Sequence, residues 1–368
     1  ASVSLNGYRY DIFCVKSGGN AQVIVYDKEM NKTISNNIRV DGRITQLNIA
    51  QVTDTDKHTW VYYVDGYSPL QRFKIGEWVS SAFATGSADS VTANIDNETW
   101  YNSDLGNTSG TYVFTYTNGH WEYNDAQVSL STYGISLSGG SPSEGSTITV
   151  VYTVTSGGTK TIESIEFVDA RPVIGASMIM FHNNRLYLAG FRNDPNLVQI
   201  SAIEETGPNF TQFPYRMYVP NRSPYDTSLN PITAMVEYTS DQIMFAMKNG
   251  FSLFQTSSRS GGLEVAMPQQ VSTFTDSAGV RAQGDICNYK GVLYSFDQKE
   301  GLRRFTGAVW NTLPTTVDSH YDRVDMTKPR RVWGYANKLY FNYTDSVDHR
   351  AKCLIWDMQT NSHPHPRL

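Results

Sequence analysis

The sequence is poor in the features that accompany membrane insertion or nucleic-acid binding. Charged residues make up 18% of the 368 residues, below the usual quarter. There is no Lys/Arg-rich block, and the net charge of −5 offers no basic footprint for direct nucleic-acid binding. No apolar run approaches the ~18 residues of a membrane span, and no signal-peptide pattern opens the chain. We therefore expect neither a membrane span nor a secretory leader.

Cysteines and catalytic motifs are also scarce. Cys14, Cys287 and Cys353 are far apart and lack metal-ligand spacing, so they predict small buried side chains rather than disulfides or a metal centre. A Gly-x-Ser-x-Gly nucleophile elbow is missing, and so is the repeated Ser-x-Asp-x-Gly-x-x-Trp turn of sialidase-type propellers. Asp54-Thr-Asp56 does not fit the spaced loop that a hard cation needs. The sequence thus predicts no enzyme activity, no cofactor and no metal.

What the chain does contain is aromatic residues, turn residues and a recurring phrase. Aromatics reach 12%, with 23 Tyr, and there are 28 Gly, which is typical of many short strands joined by turns. A tight polar turn repeatedly leads into Leu-Tyr or a similar pair, most clearly at 182–187, 288–294 and 335–340, and more loosely at 59–63 and 241–245. The aromatics of this phrase are expected to be core residues. In this interpretation His182 is a polar cap within such a turn.

The spacing of the phrase predicts the architecture. Tyr187, Phe245, Tyr294 and Tyr340 follow one another at intervals that bracket the ~40–50-residue period of a four-stranded propeller blade. About six hairpin units can be read along the chain, so the prediction is an all-β, about six-bladed β-propeller. Two or three β-sandwiches in tandem remain the alternative, because short strands at regular spacing do not separate the two folds well.

One interval is about 70 residues too long for a blade and locates an added domain. It contains an Asn118-Gly119 hairpin signal and an alternating β-branched run at 146–154. We predict a small inserted β-sandwich, immunoglobulin-like, at 83–158. The propeller then comprises 1–82 and 159–368.

Four aromatic residues of the insert are the candidate contacts for a glycan or a partner. Trp100, Tyr101, Trp121 and Tyr123 combine ring surface with polar groups that suit glycan stacking and hydrogen bonding, although strand aromatics are more often core. A glycan-cleaving enzyme would instead need several carboxylates that converge on one face.

Several stretches resemble tail proteins of tailed bacteriophages. They are 65–73, 181–190, 194–201, 207–210 and 276–305, and the insert is similar to a small β-domain found in phage tail and fibre proteins. The resemblance touches most of residues 55–360, but no single motif is diagnostic. It brings no catalytic residues, because that family has none.

The resemblance implies a structural protein of the virion tail, like the propeller-bearing nozzle, hub or DNA-retaining proteins of short-tailed phages. Such proteins form homo-oligomeric rings around the DNA channel, in contact with other tail proteins or with portal and adaptor proteins. DNA is expected to pass nearby without specific binding, because carboxylates repel phosphate. The alternatives are a receptor- or glycan-binding module that contacts bacterial surface glycans, and a glycan-cleaving propeller enzyme.

Overall fold

Antiparallel sheets form nearly all of the regular structure in this computed structural model. It describes residues 2–5, 8–17, 20–44, 47–54, 56–83, 92–139, 141–143, 145–204, 207–210, 212–219, 230–256, 268–274, 279–297, 300–313, 321–358 and 365–367. Within these ranges six four-stranded antiparallel sheets follow one another along the chain, and a separate unit is inserted between the second and the third. No helix in these ranges is long and apolar enough to cross a membrane.

The first three sheets run in chain order. Sheet 1 contains β1 (Ser2–Leu5), β2 (Tyr8–Ser17), β3 (Asn20–Asp27) and β4 (Lys32–Val40). Sheet 2 contains β5 (Asn48–Thr53), β6 (Thr59–Val64), β7 (Gln71–Lys74) and β8 (Ser80–Ala82). Sheet 3 contains β16 (Met178–His182), β17 (Arg185–Ala189), β18 (Leu197–Ile200) and β21 (Tyr215–Tyr218), with the ribbon β19 (Ala202–Glu204) and β20 (Gly207–Asn209) before its last strand.

The last three sheets repeat this order. Sheet 4 contains β22 (Ile232–Thr239), β23 (Gln242–Met247), β24 (Phe251–Gln255) and β25 (Gln269–Phe274). Sheet 5 contains β26 (Ile286–Tyr289), β27 (Val292–Asp297), β28 (Gly301–Phe305) and β29 (Trp310–Thr312), preceded by a 3-10 turn at Gln283–Asp285. Sheet 6 contains β30 (Arg331–Tyr335), β31 (Lys338–Thr344), β32 (Ala351–Asp357) and β33 (His365–Arg367).

The inserted unit has its own sheet and core. Its strands are β9 (Thr92–Ile95), β10 (Gly110–Thr117), β11 (His120–Tyr123), β12 (Ala126–Val128), β13 (Ile135–Ser138), β14 (Thr147–Val154) and β15 (Lys160–Val168). Its helical turns are α1 (Asn97–Asn102) and the 3-10 turns Asp104–Asn107 and Leu130–Tyr133. The five-stranded sheet β12-β11-β10-β14-β15 packs against the ribbon β13-β9 and α1. Because β15 pairs with β14, the predicted end of the insert at 158 must move to Val168, and 84–91 lie outside the described residues.

The recurring phrase is a tight hairpin between the first and second strands of a sheet. Residues Asn183-Asn184, Lys290-Gly291 and Ala336-Asn337 each have two successive positive φ angles, which match the right-handed twist of the flanking strands. After two of these turns the Leu-Tyr pairs, Leu186-Tyr187 and Leu293-Tyr294, are buried. The predicted hairpins are therefore confirmed, and so is the core role of Tyr187 and Tyr294, whereas Tyr340 of the third pair is only half-buried.

The Leu-Tyr pair packs each sheet between its two neighbours, because successive strand residues face opposite sides. Leu186 lies in the hydrophobic cluster between sheets 2 and 3, and Tyr187 in the one between sheets 3 and 4. The described residues form five such clusters, which join sheets 1–2, 2–3, 3–4, 4–5 and 5–6 in turn. First strands also contact one another from sheet 2 to sheet 6, so the arrangement is propeller-like.

Side chains also link neighbouring sheets by hydrogen bonds to backbone groups. Asn48 Nδ2 of sheet 2 donates to the Ser177 carbonyl oxygen at 2.7 Å, next to sheet 3. Gln283, before sheet 5, accepts from Met235 N at 2.8 Å and donates to Met235 O at 2.6 Å. These amides satisfy backbone groups of an adjacent sheet and fix its position.

His182 also forms side-chain contacts between neighbouring sheets, and it lies at a strand end and not within a turn. The sequence interpretation placed it as a cap within the hairpin turn, but that turn is Asn183-Asn184 and His182 ends β16. Its ring is buried, with Nε2 2.9 Å from Thr256 Oγ1 and Nδ1 3.3 Å from Glu237 Oε2. The residue links sheet 3 to sheet 4.

We expect Gly279→Ala to destabilise the packing of sheet 4 against sheet 5. A Cβ at this position would overlap the Met247 carbonyl oxygen, and backbone cannot move away as a side chain can. Overpacking of this kind costs about 1–3 kcal/mol or more. Chemical denaturation measures the loss. Gly157→Ala is the control, because its nearest neighbour, Thr155 Oγ1, is 3.8 Å away; equal effects of the two changes would contradict this reading.

Candidate functional site

Trp100, the first of the predicted contact residues, lies at the centre of the insert. Its side chain is 0% exposed, and its ring centroid is 5.3 Å from that of Tyr112 and 5.8 Å from that of Tyr152. Asp96 caps the helix that carries it by accepting from Glu98 N. A ring without accessible surface cannot stack on a ligand, so the expectation for Trp100 was wrong.

The other three predicted contacts surround the same core. Tyr101 packs 5.9 Å from Tyr152 and Tyr123 packs 5.3 Å from Phe114, measured between ring centroids. Both rings are half-buried. They stabilise the insert, and a contact role for them stays a prediction.

Trp121 is also half-buried and lies edge-on to Tyr116 at 5.3 Å. Like Tyr101 and Tyr123, it keeps part of its ring surface exposed, which a stacking contact requires. Its contact role stays a prediction as well.

The opposite face of the insert sheet borders a cleft that sequence reasoning missed. The cleft has a volume of about 560 Å³ and is lined by Thr115, Thr149 and Glu166 of the insert and by Tyr215 and Arg216 of sheet 3. The alternation of Thr with aromatic residues along β10, and with Ile and Val along β14, was its signal in the sequence. This face turns inward, toward sheet 3.

A second concave region lies where the first strands of the sheets begin. Two adjoining cavities share Asn48 and Gln283 and have volumes of about 1020 and 330 Å³. Their lining comes from first strands of sheets 2 to 6 and from the second-to-third-strand turns of sheets 2 and 3, which an antiparallel meander places at the same end. Strands β31 and β32 of sheet 6 complete the larger cavity. Because both cavities border the first strands of the sheets, we call them together the axial cavity.

Asp65 is the carboxylate among the described residues that line the axial cavity, and it organises a turn. Its Oδ1 accepts from the N–H groups of Tyr67 and Ser68 at 2.9 and 2.7 Å. Its Oδ2 accepts from Asp41 N at 2.9 Å and from Ser68 Oγ at 2.7 Å. Both oxygens are therefore occupied by the polypeptide itself.

Two further buried carboxylates hold the chain at junctions. Asp169, at the exit from the insert, accepts from Arg171 and from Ser143 Oγ. Asp285, before sheet 5, pairs at 2.6 Å with Arg330, the residue just before sheet 6. Burial raises the pKa of Asp285 above its ordinary value, although Arg330 acts in the opposite direction.

Asp345 anchors the turn between β31 and β32. It accepts from Lys352 Nζ at 2.6 Å, from Arg323 Nη2 at 3.0 Å and from Val347 N at 2.8 Å. Burial acts to raise its pKa, but Lys352, the backbone N–H groups and Arg323 outweigh it and hold the pKa well below its usual range.

Acid should therefore weaken the fold partly through Asp345. Its folded-state pKa is depressed, so its contribution is present above the ordinary pKa and is lost as the pH falls below about 4. We expect Asp345→Asn to lower the thermal midpoint at neutral pH and to flatten its fall toward about pH 3. Parallel pH profiles for the variant and the unmodified chain would contradict this assignment.

One cluster of potential metal ligands occurs among the described residues. Ligand atoms of Asp54, Asp56 and His58 lie within 4.8 Å of one another. Asp54 already accepts from His58 N and Trp60 Nε1, both at 2.8 Å. These bonds close the β5–β6 hairpin and account for the cluster without an ion.

The cysteines are poor nucleophiles in this environment. Cys287 lines the axial cavity, and burial raises the pKa of its thiol to about 12. Partial burial also raises the pKa of Cys353, and the pKa of Cys14 is raised as well. Cys14 is exposed and the other two are half-buried, so the prediction of small buried side chains was wrong for Cys14. All three are protonated at neutral pH, and the thiolate is the reactive form.

Comparisons with known proteins give only remote structural matches. No protein-family model matches the chain, and no curated protein matches it. A crystal structure from Bacteroides fragilis, described as a candidate 6-phosphogluconolactonase, matches with TM-score 0.46 and 9% identity over 96% of this chain and 79% of that one.

Two further solved structures are similar at the same remote level. A quinoprotein alcohol dehydrogenase-like protein of Bacteroides thetaiotaomicron matches with TM-score 0.37 and 10% identity, over 94% and 81% of the two chains. A protein of Lactobacillus plantarum matches with TM-score 0.35 and 9% identity, over 99% and 84%. Likeness at this level carries no argument about function, and the fold description rests on the sheet order itself.

Proposed function

We propose that this chain is a non-enzymatic structural component of a bacteriophage virion tail that assembles in a ring around the DNA channel. The observation that carries the proposal is the use of its buried carboxylates. Asp65, Asp169, Asp285 and Asp345 each bind turn N–H groups, arginines or lysines of the chain itself. A scaffold needs such anchors, whereas a hydrolase needs carboxylates free to face a substrate.

The resemblance to phage tail proteins adds to this proposal at the level of architecture. The stretch at 181–190 forms the first hairpin of sheet 3, where Leu186, Tyr187 and Leu188 are buried. Core residues of this kind specify a scaffold and leave the outer surfaces free to differ between proteins that share it. Other tail proteins, or portal and adaptor proteins, are the proposed partners, and the tail of the virion is the proposed location.

We also propose that sheet 6 closes on sheet 1 to complete a six-bladed propeller, and that the insert is a sandwich-like, immunoglobulin-type module. Trp333 and Tyr340 stack with ring centroids 4.2 Å apart on the face of sheet 6 turned away from sheet 5. Phe13 and Val15 are 50% and 42% exposed on the outer face of sheet 1. Tyr340 belongs to the third Leu-Tyr pair, and closure would bury it as Tyr187 and Tyr294 are buried.

Cross-linking tests the closure. Lys16 lies one residue before the end of β2, and Lys352 is the second residue of β32. Both lie at the same end of the blades, so a closed ring brings these amines together. We expect a Lys16–Lys352 cross-link within single chains, detected by mass spectrometry of monomer-sized material. A link found only between chains would show that these faces cover neighbouring copies instead.

The tail assignment is tested on particles. An antibody raised against the purified chain should label the tail of the phage that encodes it, and the label should be confined to that structure. Incubation of the chain with capsular and wall polysaccharides should release no product. Particles that carry no label, or a polysaccharide that is cleaved, would reject the proposal.

A receptor- or glycan-binding role is the second candidate, favoured by the half-exposed Trp121–Tyr116 pair. Binding on a glycan array that disappears in Trp121→Ala, with the fold retained, would support it. An array without any binding would remove this candidate.

A further inference from the structure

The charged lining of the axial cavity has the opposite sign from the chain as a whole. Its described lining includes one acidic residue, Asp65, and a set of basic residues, namely Arg192, Arg281, Arg330, Arg331 and Lys352. The whole chain carries a formal charge of −5. A concave site lined by one sign of charge concentrates ions of the other sign.

Two of these cations are neutralised by the chain. Arg330 pairs with Asp285 at 2.6 Å, and Lys352 contacts Asp345 at 2.6 Å and Asp348 at 2.8 Å. They belong to the structural anchors described above.

The other three basic residues are available to a ligand. Arg192, Arg281 and Arg331 are exposed, and none forms an ion pair within the described residues. Asp65 has its two oxygens occupied by neutral turn and side-chain donors, and it pairs with none of the three arginines. Its single negative charge stands against three arginines, so the described lining keeps an excess of positive charge.

Arg192 is also held in place by ring stacking. Its guanidinium carbon lies 4.8 Å from the centroid of Tyr67, and that of Arg43 lies 4.4 Å from the same ring. Cation–π contact of this kind orients a guanidinium and leaves its N–H groups free to donate.

Two amide side chains of the cavity are already engaged. Asn48 donates to Ser177 O, and Gln283 exchanges two hydrogen bonds with the backbone of Met235. The charged groups without an ion-pair partner are arginines, which donate only, so the complementary ligand is an anion.

We propose that the axial cavity binds a phosphate-bearing anion through Arg192, Arg281 and Arg331. The planar fork of a guanidinium matches two phosphate oxygens. Arg192 and Arg281 line the smaller cavity and Arg331 lines the larger one that adjoins it, so a ligand that meets all three carries several phosphates. The ligand is either a free polyphosphate or the backbone of a nucleic-acid strand. The inference does not depend on the tail assignment, and it places phosphate binding where the net charge of the chain predicts none.

Calorimetric titration of the full chain with tripolyphosphate at low salt tests the proposal. We expect binding that weakens as salt is added, and a loss of about tenfold in affinity for each of Arg192→Gln, Arg281→Gln and Arg331→Gln. Arg304→Gln is the matched control, because Arg304 is an exposed arginine on β28 that does not line the cavity. Unchanged thermal midpoints show that the variants remain folded.

A parallel titration with a short oligothymidylate separates the two sources of phosphate. Binding of the oligonucleotide with the same arginine dependence identifies a nucleic-acid backbone, and binding of tripolyphosphate alone identifies a free polyphosphate. Absence of binding by the unmodified chain would overturn the proposal. So would an equal loss in Arg304→Gln, which would show a general charge effect.

Discussion

Trp100→Ala is expected to unfold the insert while the six sheets stay folded. Trp100 is fully buried and contacts the rings of Tyr112, Phe114, Tyr133 and Tyr152. Truncation of a buried tryptophan costs about 3–5 kcal/mol. That is a large share of the free energy of unfolding of a unit of this size. The insert has a hydrophobic cluster of its own, separate from the five that join the sheets, so the loss should remain local. Hydrogen exchange followed by mass spectrometry resolves the two regions.

The matched control is Trp121→Ala. Trp121 is half-buried at the edge of the same core, so its truncation should leave the insert folded with a smaller loss of protection. If Trp100→Ala left the amides of β10 and β14 protected, the central position of Trp100 would be refuted. Collapse of protection in the six sheets as well would refute the independence of the insert.

Asp285→Ala should destabilise the junction between sheets 5 and 6. The side chain of Arg330 is only 4% exposed, and Asp285 is its ion-pair partner among the described residues. Asp285 also accepts from the backbone N–H groups of Arg281 and Ala282. Removing one partner of a buried pair costs about 3–5 kcal/mol, because the remaining charge has no compensation. Chemical denaturation, followed by the fluorescence of the sheet 6 tryptophans, measures the loss.

Two variants make this prediction specific. Asp285→Asn keeps an oxygen acceptor and should cost less than Asp285→Ala. Adding Arg330→Met to Asp285→Ala removes the unpaired charge, so the double variant should regain part of the stability. Additive losses in the double variant would show that the pair does not couple the two sheets.

The repeat was predictable from sequence because it is local. Turn residues such as Asn183-Asn184 specify the hairpin through their backbone angles, and the adjoining Leu and Tyr alternate between two faces. The position of the insert was visible as one stretched interval. Its end was placed too early, because β15 pairs with β14 across a turn. The sequence of a strand does not by itself identify the strand with which it pairs.

The candidate sites were less predictable, because they depend on which distant segments meet. Trp100 was selected for its type, yet only the tertiary fold places it in a core. The axial cavity joins Arg192, Arg281 and Arg331, which are far apart in the chain. Each precedes or begins a strand or lies in a turn, and the common end of the blades appears only once the sheets are arranged around a centre.

The central claim, that this chain is a ring-forming structural protein, is tested most directly by mass photometry of the isolated chain. One chain has a mass of 41.2 kDa. The account predicts a discrete species at a fixed multiple of that mass, with ring-shaped particles of the same size in electron micrographs. A single-chain species across the whole concentration range would contradict it.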